Sequence, residues 1–246
     1  MVRAIVSLAI CVPAAIYGQS TVAQRFEVAS VRPSAADPNS PSGIKTGHGR
    51  LDAVNVTLKR CIMGAYGVGP HQIIGGPDWL ESGRFAIAAK AEQPIDDDAA
   101  LMAMLQDLLA ERFKLALHRE TRTIRAFVLE VAKKGPKVEK AEAGEAVTNT
   151  STSNSGVIIE ARHTDMEAFA RILSRKMDLP VVNHTGLEGV FNLKLQWTPE
   201  SAKPMGGAEG PSIFTAIQEQ LGLRLRSQKT PVEVLAIDHA ERPSEN

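Results

Sequence analysis

Aromatic residues are scarce in this 246-residue chain, at 4%, and there are two cysteines, Cys11 and Cys61. These shortages exclude a miniature scaffold built on disulfides. The hydrophobic fraction of 43% is instead enough for a sizeable core. An excess of either charge is missing too, since 28 Lys and Arg face 28 Asp and Glu. The basic residues are scattered, so no stripe offers itself to nucleic acid. Past the N-terminal stretch no segment is apolar enough to span a membrane.

The usual chemical signatures are also lacking. The six histidines, His48, His71, His118, His163, His184 and His239, form no His-Glu-x-x-His pair, and no Cys-x-x-Cys occurs. That spacing assigns no metal ligand and no cofactor. No Gly-x-Ser-x-Gly elbow is present. "GVGPHQIIGGP" is rich in glycine but lacks the Gly-Lys-Ser/Thr ending of a phosphate loop, and reads as a turn. Asp96 to Asp98 fit a helix start better than an acid–base pair. No catalytic residue is assigned.

What is present begins with "MVRAIVSLAICVPAAIYGQSTVA". Arg3, the apolar run Ala4 to Ile16 and the small-residue end at Ala23 have the form of a secretory signal over residues 1–23. The expected location is therefore exported, periplasmic or extracellular. Loss of Cys11 with that segment would leave Cys61 alone, and its place on an apolar helical face predicts a buried thiol.

Four helices follow from periodicity. "TLKRCIMGAY" is capped by Thr57 and stopped by Gly67. "DDDAALMAMLQDLLAERF" sets Leu101, Met104, Leu105, Leu108 and Leu109 on one face. "TDMEAFARILSRKM" is expected to start at Thr164. "PSIFTAIQEQLG" is expected to turn Ile213, Phe214, Ile217 and Leu221 inward before Gly222. Strands are expected where residues alternate, as at Phe85, Ile87 and Ala89 and at Phe191, Leu193, Leu195 and Trp197. "FKLALHRETRTIRAFVLEVAKKGP" reads as two strands around a polar turn at Glu120 to Thr123, and "LRLRSQKTPVEVLAIDHAERP" reads the same way.

Several of these elements recur. Leu109 matches Ile217, Phe113 matches Leu221, Phe127 matches Leu235 and Leu129 matches Ile237, all at an offset of 108 positions. "WLESGRFAIAAK" and "GLEGVFNLKLQW" repeat a Leu-Glu, Gly, Phe order, read as a tight turn feeding a strand. A fixed period with small shifts in loops predicts an internal duplication. The expected fold is α+β: two similar lobes, each strand-helix-strand-helix-strand-strand, with mostly antiparallel sheet. The lobes are placed at residues 24–135 and 157–246, with a flexible linker at 136–156. Tyr66, Asp78, Trp79 and Arg84 are the candidate binding residues, because a Trp beside charged groups suits a ligand or partner surface. The reading favoured for Trp79 is a lid on the first core, because the matching position in the second lobe, Leu187, is apolar.

"FEVASVRP", "VTLKRCIMGAYGV", "QIIGGPDWLESGRFAIAAKA", "LLAERFKLALHRETR", "NHTGLEGVFNLKLQWTP" and the ending from "SIFTAIQEQLG" to "HAERPSEN" resemble an uncharacterised exported protein family of acidobacteria. A domain similar to it occurs fused to sensor metallopeptidases of the BlaR/MecR type. The stretch Thr164 to Leu195 is similar to the short N-terminal domain of secretins and TonB-dependent receptors, which works by protein contact. The resemblance implies no known activity. The function expected is an exported, non-enzymatic binding or protein-interaction module whose partner is an envelope protein or a small ligand. The alternatives are a small-molecule sensor or a hydrolytic enzyme with its site between the lobes.

Overall fold

The computed structural model describes residues 25–35, 37, 40–153, 156–199 and 210–244. The expected secretory signal lies outside the described residues. The first half of the chain runs β1 (Phe26–Pro33), β2 (Gly43–Gly47), β3 (Arg50–Thr57), α1 (Leu58–Tyr66), β4 (Ile73–Gly75), β5 (Arg84–Ala91), α2 (Asp98–Arg112) and β6 (Ala116–Val131). The second half runs β7 (Glu139–Ala141), β8 (Val147–Ser153), β9 (Gly156–Thr164), α3 (Met166–Ser174), β10 (Val181–Asn183), β11 (Val190–Trp197), α4 (Ile213–Leu221) and β12 (Leu223–His239). The fold is α+β and mostly antiparallel, as the alternating strands and amphipathic helices imply.

Three four-stranded sheets result. Two outer sheets have the orders β1-β5-β3-β2 and β7-β11-β9-β8. These orders correspond strand for strand, and each sheet buries one face under its helices. The central sheet has the order β10-β6-β12-β4. Its two long strands pair antiparallel along nearly their whole length, with Thr123 opposite Pro231 near the middle.

The short outer strands of this central sheet change sides. β4 pairs parallel with β12, Ile73 to Leu235, and β10 pairs parallel with β6, Val181 to Phe127. Leu235 and Ile237 thus complete the first core, around Leu51, Ile62, Leu105 and Phe113. Phe127 and Leu129 complete the second, around Ile159, Phe169, Leu195 and Ile217. The lobes are therefore not simply residues 24–135 and 157–246: the last strand of each half finishes the core of the other.

Local chemistry explains the helices. Thr57 Oγ1 accepts from Arg60 N at 3.2 Å, and Gly67 closes α1 in the left-handed region at φ 66°. α2 buries the five residues expected of it. α3 starts one residue later than expected: Asp165 Oδ1 accepts from Ala168 N at 2.6 Å, while Thr164 ends β9 and donates to Arg162 O. The carboxylate reaches the free helix N–H groups and suits the positive end of the dipole, so it displaces Thr164 as cap. In α4, Phe214 departs from the expected inward face and remains 45% exposed. Ala216, Ile217 and Leu221 take that face, and Phe214 rests edge-on against Phe127 with 5.3 Å between centroids.

Two longer stretches differ from the sequence reading. Glu120 to Thr123 form no turn, because β6 is continuous there and faces β12 from Val234 to Pro231. The polar side chains of this stretch stay mostly exposed, although β12 opposite buries Val232 and Val234 in a small cluster with Ala126. Residues 136–156, expected as a linker, contribute β7 and β8, which edge the second outer sheet. β8 is exposed at all seven positions, which is why its composition resembles a linker.

Candidate functional site

A cleft of about 380 Å³ opens where the two lobes meet over the central ribbon. Tyr66 comes from the C-terminal end of α1 and Val68 from the chain just past it, and α3 supplies Glu167, Arg171 and Ser174. Val181 and Val182 of β10 and Pro231 and Val232 of β12 form an apolar floor, with Arg119 and Glu233 beside it. Gly69 makes this meeting possible: a Cβ there would stand 2.6 Å from Ser174 O, so only glycine lets the chain leaving α1 pass the end of α3.

The charges lining the cleft are unequally committed. Arg119 is ion-paired with Glu233, whose backbone oxygen also accepts from Gln72 Nε2 at 3.1 Å. Arg171 forms no ion pair with a described residue, although Glu167 lies one turn before it. Partial burial pushes the Tyr66 phenol up; Arg119 opposes this and Asp107 adds to it. Tyr66 is therefore a neutral hydrogen-bonding group near neutral pH. The Ser174 hydroxyl donates to Ala170 O at 2.9 Å and accepts from Val181 N at 2.8 Å. It fastens α3 to β10 and is not poised as a nucleophile.

Of the four residues read as candidates, the structure places only Tyr66 at this cleft. Asp78 and Trp79 lie on a short 3-10 turn, Asp78–Leu80. The Trp79 ring contacts Phe85 and Phe113, with centroids 6.2 Å and 6.4 Å away, and Arg242 sits over it at 5.2 Å. Arg84 donates to Asn55 O at 3.1 Å and braces the bulge in β3. Sequence reasoning missed Arg171, Glu167 and Arg119 because they come from both halves and share no local motif. Cys61 is buried as expected, and its thiol is pushed up to about 12 by burial, with Arg60 opposing, so it stays protonated. Among the described residues no three His, Cys, Asp or Glu side chains converge as metal ligands. No described helix is long and apolar enough to cross a membrane.

The sequence pattern of a protein family of unknown function, DUF3738, matches residues 59–240. The chain belongs to the DUF3738 family. That match takes in α1 through β12, and so both lobes, the central ribbon and the cleft between them. No curated protein and no solved structure matches the chain. The family sets no activity, which leaves the cleft's own chemistry to argue from.

Proposed function

We propose that this DUF3738 protein is an exported, non-enzymatic binding module that takes a small ligand in the cleft between its lobes. The observation that carries this reading is the cleft itself. Its volume suits a small molecule, its floor is valine and proline, and a few polar groups stand at its sides. The matching strand orders of the outer sheets and the 108-residue offset support an origin by duplication. A binding site at the junction of duplicated halves draws on both, as Tyr66 and Arg171 do. The N-terminal pattern of Arg3 and the following apolar run supports export.

A thermal-shift screen of small molecules against the wild type and Val182→Trp tests this. Ligands should raise the wild-type midpoint and fail to raise that of the variant, whose indole fills the floor. A ligand at a hundred times its Kd adds about 2.7 kcal/mol, enough to read clearly. Near-ultraviolet circular dichroism checks that the variant folds. Ligands that act equally on both proteins, or none at all, would sink the proposal.

A second reading has its own observation. β8 is a seven-residue edge strand, exposed throughout, with no proline or charge to block pairing. It suits strand addition by an envelope protein. Crosslinking from the native envelope, followed by mass spectrometry, should recover one stoichiometric partner that is lost on Thr150→Pro.

A further inference from the structure

Four cations form a linked group that starts at the cleft. Arg171 lines it, Arg175 caps the C-terminal end of α3, and Lys176 follows. Arg60, on α1, repels Lys176 electrostatically. None of the four forms an ion pair with a described residue. Crowding by the protein and then repulsion from Arg171 lower the Arg175 pKa. Crowding, then Arg175 and Arg60, lower that of Lys176. Both side chains retain exposed surface, so solvent screens part of the repulsion.

The helix dipole explains part of this cluster and not all of it. Cations at the C-terminal end of α3 complement its partial negative charge. Arg60, however, stands in the first turn of α1, at the positive end of that helix, where the dipole disfavours it. Its neighbour Lys59 is paired with Glu81 at 2.6 Å, whereas Arg60 is left to face another cation. Two helices from different halves thus bring like charges together, and one of these charges, Arg171, lines a cleft with an apolar floor. Glu167 is the nearby lining acid left outside an ion pair, and Glu233 is held by Arg119.

We propose that the cleft takes a ligand with an apolar body and an anionic head, a carboxylate or a phosphate, whose head is held at Arg171 with Arg175, Lys176 and Arg60 supplying a positive rim. The inference rests on the cleft being the binding site and adds the chemical class of its occupant. The valine floor accepts the body, the guanidinium of Arg171 offers a fork of donors to the oxygens, and the Tyr66 phenol can donate to the same ligand. The other three cations steer the anion by their field.

Isothermal titration of the folded protein with hexanoate, hexyl phosphate and hexanol tests this. At least one anion should bind about tenfold or more tightly than hexanol, the scale of a charge-assisted contact. Arg171→Gln should erase that preference and leave hexanol unchanged, and added salt should weaken the anions alone. A preference for hexanoate assigns a carboxylate, and one for hexyl phosphate assigns a phosphate. Equal binding of hexanol, an unaffected Arg171→Gln, or no heat from either anion overturns the inference. Hexanol binding that Val182→Trp abolishes would meanwhile keep the cleft as a site. The cleft reading falls separately, when ligands act alike on the wild type and Val182→Trp or none is found. Arg171 is exposed, so its substitution leaves the core intact and the variant interpretable.

Discussion

At the bulge of its outer sheet the first lobe buries Asn55 completely, whereas the second lobe leaves His163 half exposed at the matching place. Both residues adopt positive φ, 52° and 48°, where β3 and β9 gain a residue against β5 and β11. Both hold the loop before the next edge strand. Asn55 donates to Asp37 O and Ser40 O, at 3.1 Å and 3.0 Å, and the His163 ring meets Glu142 O at 2.9 Å. The backbone device is shared; the side chain that secures it is not. The Asn55 amide is itself buried, so water does not take its place when it is removed and the loop loses both ties. A half-exposed imidazole can be replaced by solvent.

The largest test of the likeness between lobes concerns the exchanged strands. Leu129→Ala and Leu235→Ala each empty a core, and each should cost roughly 2–5 kcal/mol in urea melts. Trp79 reports on the first lobe and Trp197 on the second, so single-Trp versions read the lobes separately. Coincident midpoints are expected, because each lobe contains a strand of the other half. Two separated midpoints would break the comparison and show the lobes to be independent.

Asn55→Ala and His163→Ala sharpen it next. The first should cost about 1–3 kcal/mol and the second clearly less, measured by the same melts. Asn55→Gly should recover part of the loss, the share that reflects a positive φ in a residue with a Cβ. Equal losses at positions 55 and 163 would contradict the reading of buried against half-exposed support. The helix caps should behave alike in the two lobes: Thr57→Ala and Asp165→Ala are each expected to cost about 1 kcal/mol.

The smallest effect separates the two ends of the ribbon by pH. Glu130 is paired with Arg224 and Arg226, at 2.7 Å and 3.2 Å. The corresponding end carries His118 against Asp238 at 2.9 Å. Hydrogen bonding and attraction to Asp238 raise the His118 pKa above its usual 6.5. Its stabilising contribution is therefore complete below about pH 6.5 and lost as pH rises through the raised value. Urea midpoints should fall slightly across that window in the wild type, and His118→Gln should remove that step. An unchanged step in the variant would assign it to another group.

Amphipathic spacing made the helices legible, down to the five buried residues of α2. Local polarity misled where tertiary pairing decides. Glu120 to Thr123 looked like a turn because their own side chains are mostly exposed, even though β12 opposite buries Val232 and Val234, and β8 looked like a linker because all its side chains meet solvent. Thr164 and Asp165 are both good caps, and only geometry chooses between them. Tyr66 was singled out as a neighbour of the Asp78–Trp79–Arg84 loop, and the structure places it at the cleft without those three. Arg119 and Arg171 were hidden because residues 52 positions apart join only once the lobes pack.

The exchanged strands also constrain when the protein can become whole. Synthesis runs from the N-terminus, yet the first core waits for Leu235 and Ile237, near the end of the chain. The early half therefore emerges with an apolar gap that only the last strand fills. Completion is a single late event, and a chain stopped before β12 would display an open hydrophobic seam to whatever proteases and chaperones surround it.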